Sequence, residues 1–340
     1  MVLAGKGGVG KSTLSATVAS LAARHGLSVL LVEMEGRSGP MGAIGHDEPT
    51  PDEVERSAHR IGAPGSPSAD IRARTITPDE VLIEYLGDHG FGRAARRLTK
   101  SGMVEVAATG IPGLRDILVL GKIVQLERSH TADLIVLDGP AAGHAATFLT
   151  SAQGLLDSTR AGPIHAWAAE VVEFLADPTR FQVVPVTLAE ETPVNETVGM
   201  VHTLQHRVGT HPGLVIVNGM YPRLDFLDAD PEAAAAAAGV TLRPGEADAM
   251  RAAAVFRRRR QENQAEQATR LAEALALPQV WLPQLFTSAI GLSEIARLAD
   301  AMEVALLHLR KPCRGQWTGP AKLTAGLRIP APAACMGTST

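Results

Sequence analysis

A doubly wound, mostly parallel α/β sheet flanked by helices is the fold class this chain predicts, on three observations. Short apolar, β-branched runs alternate with stretches of helical period for most of the length. The first of these runs passes directly into a glycine-rich loop and then into a helix. The 340 residues are 45% hydrophobic and 20% charged, enough to bury both faces of a large sheet.

Candidate strands are Met1–Ala4, Ser28–Val32, Met103–Ala107, Leu134–Leu137, Phe181–Val186, Leu214–Val217 and Gln279–Leu282. Met1–Ala4 is short for the first strand of such a sheet, which leads us to expect that the true start lies upstream. A helix follows from Ser12 to His25, with Leu14, Val18 and Leu21 on one face and Gly26 as its C-cap. Asp47–Asp70 mixes Pro, Gly, Ser and charge without a period and reads as a surface loop. Helical segments at about 78–130 and 150–180 are expected to form a helical subdomain. Pro231–Ala276, rich in Ala, Arg, Glu and Gln, predicts a pair of exposed helices. One domain over residues 1–309 and a disordered tail over 310–340, rich in Pro, Gly and Thr, complete the organisation.

Composition removes several functions. A net charge of −4 argues against a nucleic-acid-binding surface, so no nucleic-acid partner is expected. Cys313 and Cys335 are the only cysteines, too few for a disulfide framework, a Cys-ligated zinc site or an iron–sulfur cluster in one chain. No run approaches the ~20 apolar residues of a membrane span, and no secretory signal is recognisable, so a cytoplasmic protein is expected. Six lysines stand against 26 arginines, and two of the six, Lys6 and Lys11, fall within the first eleven residues. A chain that nearly always selects Arg has selected Lys there.

Those two lysines sit in Gly5-Lys6-Gly7-Gly8-Val9-Gly10-Lys11-Ser12, a match to G-x-x-x-x-G-K-[ST] between a strand and a helix. Glycines allow successive backbone N–H groups to point inward at phosphate oxygens, and the helix N-terminus adds its partial positive charge. The nucleotide-binding candidates are Gly7, Gly8, Val9, Gly10, Lys11, Ser12 and Thr13. Lys11 should reach the β- and γ-phosphates of ATP, and the Ser12 hydroxyl should ligate Mg2+. Lys6 makes this the deviant form of the loop, in which the extra lysine can reach phosphates held by a second subunit.

Beyond the loop, the sequence resembles the arsenite-pump ATPase family, which includes the ATPases that deliver tail-anchored membrane proteins. The resemblance rests on Val29-Leu30-Leu31-Val32-Glu33-Met34-Glu35-Gly36-Arg37, on Asp138-Gly139-Pro140-Ala141-Ala142-Gly143-His144, on Val215-Ile216-Val217-Asn218, and on Leu282-Pro283 followed by Gly291-Leu292. It implies that Asp138 holds Mg2+, that Gly143 senses the γ-phosphate, that Asn218 reads adenine and that Pro283, in the closing Pro-rich turn, belongs to the nucleotide-binding set. Asp138 ends an apolar strand and Asn218 carries both a donor and an acceptor, so the residue types suit those roles. A helix cap and a loop cap are the simpler readings of the same two residues. Glu35 stands where the family places an Asp to orient the attacking water, a longer carboxylate compatible with slow hydrolysis. Glu33 is the alternative.

The resemblance further implies a homodimer, or a heterodimer with a related ATPase, serving a membrane transporter or a membrane-protein client. Such a protein would be cytoplasmic or peripheral at the membrane. The family's arsenite-sensing cysteines and zinc-binding Cys pair have no counterpart, so structural zinc is not expected. Arg257–Arg260, followed by Glu262 and Glu266 at helical spacing, reads as a self-paired solvated face. Trp167, Val171, Phe174 and Leu175 form an apolar helix face that suits core more than a client groove. A positioning ATPase of the MinD/ParA type shares the deviant loop and is the alternative, as is a nucleotide-locked subunit with little turnover.

Overall fold

The computed structural model describes residues 1–34, 59–63, 66–86 and 113–310. In chain order the elements are β1 (Val2–Gly5), α1 (Lys11–Arg24), β2 (Val29–Met34), β3 (His59–Ala63), β4 (Ser66–Ile76) and α2 (Pro78–Leu86). Then come α3 (Leu114–Arg128), β5 (Leu134–Ala141), α4 (Ala142–Ser158), α5 (Pro163–Ala176), β6 (Val183–Leu188) and α6 (Glu191–Arg207). The chain continues through β7 (Val215–Met220), α7 (Pro231–Ala237), α8 (Glu246–Ala274), β8 (Gln279–Pro283) and α9 (Leu292–Arg310).

The strands form one sheet in the order β3-β4-β2-β5-β1-β6-β7-β8. Seven run parallel, and β3 pairs antiparallel with β4 at the edge. The α/β fold class is therefore as the alternation of patterns predicts. Successive residues of a strand face opposite layers, and both layers are apolar. Val2, Leu30, Val32 and Leu137 pack with α3, α4 and α5, whereas Leu3, Val29, Leu31 and Val136 pack with α1 and α9. A third cluster joins Val215 and Val217 of β7 to Val194 and Val201 of α6 and Leu271 of α8.

Helix α1 buries Leu14, Val18 and Leu21, each worth about 1.5–3 kcal/mol relative to exposure. Gly26, at φ 82°, closes it, with Leu27 N–H donating to Ala22 O at 3.2 Å. On the opposite layer Lys122 of α3 is buried, ion-paired to Glu84 of α2 and donating to Gln125 Oε1 at 2.9 Å. Burying a charged lysine requires such partners, and its work here is to join two helices. Val171, Phe174 and Leu175 of α5 are buried in the shared core, so that face is core and not a groove.

The expected surface loop needs correction. Residues 59–63 and 66–70, placed in a surface loop, belong to strands β3 and β4. β3 is the edge strand, and residues 66–70 of β4 precede the Ile71–Ile76 stretch that pairs with β2. Both leave backbone groups unpaired on one side, so they tolerate Pro and charge and imitate a loop in composition. Period two is present further along β4, where Ile71 and Ala73 are buried between the more exposed Arg72 and Arg74. The expected strand Met103–Ala107, most of the expected loop before His59, and the tail from Lys311 lie outside the described residues.

Strand β1 lies between β5 and β6, so the chain winds away from it in both directions. The crevice at the carboxyl end of β1 is a topological switch point, where open α/β sheets bind ligands. The glycine-rich loop leaves β1 there.

Candidate functional site

Residues 5–10 must carry the chain from the end of β1 to the start of α1, and at two of the glycines any side chain would clash. A side chain at Gly5 would place its Cβ 2.0 Å from the carbonyl oxygen of Val186. Gly10, the N-cap of α1, has φ 92°, and its Cβ would lie 2.5 Å from Asn218 Nδ2. At Gly7 and Gly8 a Cβ would meet nothing within 4 Å. Both border an open cavity of about 490 Å³, walled also by Lys6, Glu190 and Arg260, a volume suited to a small-molecule ligand.

Lys11 opens α1 with its side chain folded back over the loop and only 8% exposed. Its ammonium donates to Gly5 O at 3.1 Å and to Lys6 O at 3.0 Å. These bonds hold a positive charge at the helix N-terminus, where the backbone dipoles already favour anions. Thr13, in the same first turn, offers its carbonyl to Thr17 Oγ1 at 2.8 Å.

Asp138 is brought beside the loop by the register of β1 and β5, which pairs it with Leu3. It is 2% exposed and accepts Ser12 Oγ at 2.6 Å and Ser15 Oγ at 3.4 Å. A buried carboxylate is stable only with such donors. Hydroxyl and carboxylate oxygens side by side are hard donors, a set that suits Mg2+ sharing its remaining positions with phosphate and water. Glu33 is also buried, one residue beyond the Val32–Leu137 pair of β2 and β5, so it lies in line with Asp138. Glu35 lies outside the described residues.

Gly143 is the second residue of α4, which follows β5 without a loop, so its N–H belongs to the open first turn of a helix. His144 beside it is exposed. Burial pushes the Asp116 carboxyl above the usual carboxylate range, opposed by the positive charges of His144 and Arg115.

Asn218 and Pro283 lie at the carboxyl ends of the adjacent strands β7 and β8, and the Gln284 N–H donates to Met220 O at 2.8 Å. Asn218 Nδ2 donates to Val9 O at 2.9 Å, so the side chain braces the loop from the neighbouring strand. Beside these ends the ring of Tyr221 meets Phe286 edge to face at 5.4 Å, with Arg257 4.4 Å above Tyr221. Gln264 fastens the same turn, donating to Gly219 O and accepting from Tyr221 N–H, both at 2.9 Å.

Lys6 leaves the loop in the other direction and forms an ion pair with Glu196 of α6. Arg260, on the same cavity, pairs with Glu190. The arginine run is thus paired, but through other elements: Arg258 with Asp228, Arg260 with Glu190, and Arg257 donating to Pro222 O at 2.7 Å. These contacts, and not Glu262 and Glu266, correct the expected self-paired helix face. Sequence reading also missed Ser15, whose signal was its place three residues after Ser12 on one helix face. Glu190 and Glu196 carried no signal, because their partners are distant in sequence.

Comparison with known proteins agrees with the loop and its setting. Residues 1–286 match the model of the CobQ/CobB/MinD/ParA nucleotide binding domain. Over 231 residues the chain is 36% identical to ATPase BagA of Mycobacterium tuberculosis and to a Mycobacterium bovis protein named "Putative ATPase Mb3704", covering 65% of this chain and 65% of each relative. It is 27% identical over 239 residues to a Halobacterium salinarum protein named "Putative arsenical pump-driving ATPase", covering 64% of this chain and 35% of that one. The matched stretch therefore spans less than two thirds of each relative. With its glycine-rich loop braced at a switch point of a parallel sheet, the chain belongs to the CobQ/CobB/MinD/ParA family of nucleotide-binding domains.

Proposed function

We propose that this chain binds Mg-ATP and hydrolyses it as a dimer whose two copies face each other across the nucleotides. The observation that carries the reading is the bond between Ser12 and Asp138 beside the loop, two oxygen donors at the place where a triphosphate would bring its metal. The names of the relatives, ATPase BagA among them, support ATP as the nucleotide.

In this mechanism the N–H groups of Gly7 to Thr13 and the Lys11 ammonium hold the phosphates. Ser12 and Asp138 would hold Mg2+, which supplies charge neutralisation at the β- and γ-phosphate oxygens when bound. Gly143 offers its helix-terminal N–H toward the γ-phosphate, so its contact is lost after hydrolysis. Glu35 positions the attacking water, and Lys6 neutralises charge on the nucleotide of the facing copy. Asn218 and Pro283 border the base, with Asn218 also fixing the loop through Val9 O.

The coupled event is handling of a partner at a membrane, a reading supported by the Halobacterium relative's name, which calls that protein an arsenical pump-driving ATPase. No helix among the described residues is long and apolar enough to cross a membrane. Positioning of a cargo is the second reading, favoured by the family description, which includes MinD and ParA.

Sedimentation of the chain with Mg2+ and a non-hydrolysable ATP analogue tests the dimer. The expected result is ATP-dependent dimerisation that Lys6→Ala weakens measurably; a wild-type dimer in Lys6→Ala would end the cross-subunit role. Co-sedimentation with anionic vesicles or with DNA separates the two cellular readings.

A further inference from the structure

We propose that Glu196 is the positioning residue of Lys6, holding the loop lysine within its own chain until a facing copy offers a phosphate. The inference rests on the cross-subunit role of Lys6 given above and adds what restrains that lysine beforehand.

Three observations lead to it. Lys6 stands on a loop whose other lysine is buried and fixed by two carbonyls, whereas Lys6 is about one-third exposed and directed to another element. Its partner is a carboxylate 190 positions away, on the second turn of α6, and exposed to the same degree. The neighbouring cation of the cavity is held in the same manner, Arg260 by Glu190 at the N-cap of that same helix. The opening turns of α6 thus neutralise both cations that border the cavity over the phosphate loop.

Energetics favour a restraint that can be exchanged. Ion pairs this exposed shift an equilibrium by about two- to fivefold, because water and salt screen them and two long side chains lose freedom. A phosphate oxygen brought up by a second copy carries more charge and excludes water, so it outcompetes a single carboxylate. Lysine suits the exchange: a compact charge on a flexible four-carbon stem can swing between partners, whereas a bidentate arginine is committed to its fork. In a chain with 26 arginines and six lysines, lysine occupies the position that has to move.

The test is the dimer dissociation constant of the full chain, measured by sedimentation velocity with Mg2+ and a non-hydrolysable ATP analogue. Glu196→Gln, nearly the same shape without the charge, should tighten the dimer about two- to fivefold at low salt. That gain should vanish near 1 M salt, where the screening length falls to about 3 Å. It should also vanish in Lys6→Ala/Glu196→Gln relative to Lys6→Ala, and Glu196→Asp should restore wild-type behaviour. An unchanged or weaker dimer in Glu196→Gln, or a gain that survives high salt or the loss of Lys6, overturns the proposal while leaving the role of Lys6 intact. If Lys6→Ala alone dimerises like wild type, the role of Lys6 falls and the proposal with it. Melting temperatures of the variants control for folding.

Discussion

Ser12 Oγ donates to Asp138 Oδ2 across 2.6 Å, joining two residues 126 positions apart at the mouth of the phosphate loop. Neither residue makes the contact alone: Ser12 is set by the start of α1 and Asp138 by the register of β1 with β5. The pair should therefore behave as one unit toward the metal. Ser12→Ala and Asp138→Asn should each weaken Mg-ATP binding about tenfold or more, and the double variant should be little worse than the weaker single one. Calorimetry with and without Mg2+ checks this, since the losses should shrink when the metal is withheld.

A second prediction concerns the brace between β7 and the loop. Asn218→Ala removes the bond to Val9 O and should lower nucleotide affinity about fivefold, the worth of one such hydrogen bond. Gly10→Ala should cost more, because it adds the left-handed backbone penalty to a clash with Asn218 Nδ2. The double variant should bind better than the sum of the two losses, since truncating Asn218 relieves the clash but not the φ of 92°. Additive losses in a binding titration would contradict this.

The third addresses stability. Arg180 donates to both oxygens of Glu127, at 3.0 and 2.6 Å, and these bonds hold the Glu127 carboxyl below its usual range. A lowered native value means stability that is present above the unfolded value, 4.5, and lost as pH falls through the native one. Glu127→Gln should cost about 1 kcal/mol at pH 7, discounted for the partial exposure of both partners. Its difference from wild type should close as denaturation is repeated at falling pH, and a pH-independent difference would refute the linkage.

A fourth prediction tests the water-positioning carboxylate. Glu35→Gln should retain Mg-ATP binding and reduce phosphate release at least a hundredfold, the usual scale for general-base work. Wild-type turnover in Glu35→Gln would move the role to another group, with buried Glu33 the nearest in sequence.

Much of this architecture was legible because its signals are local. Val29–Val32 and Leu134–Leu137 are continuous apolar runs, as strands buried on both faces must be, and Leu14, Val18 and Leu21 mark the inner face of α1. The β3–β4 hairpin was hidden because β3 is an edge strand and Pro67 precedes the stretch of β4 that pairs with β2, positions where polar residues and proline are tolerated. The loop glycines, Lys11, Ser12 and Asp138 were legible as a spacing. Their restraints were not: Ser15 with Asp138, Asn218 with Val9, Lys6 with Glu196 and Arg260 with Glu190 are contacts made by topology between segments with no shared pattern. A charge run such as Arg257–Arg260 illustrates the limit, since helical spacing alone directed it to Glu262 while the fold supplied Glu190 and Asp228.

The central claim is that the loop around Lys11 holds ATP for hydrolysis, and phosphate release from Mg-ATP by the purified chain tests it most directly. Wild type should release phosphate, slowly, and Lys11→Ala should abolish release while still unfolding in one cooperative transition. Equal release by wild type and Lys11→Ala, or none by wild type with Mg-ATP at saturation, would contradict the account.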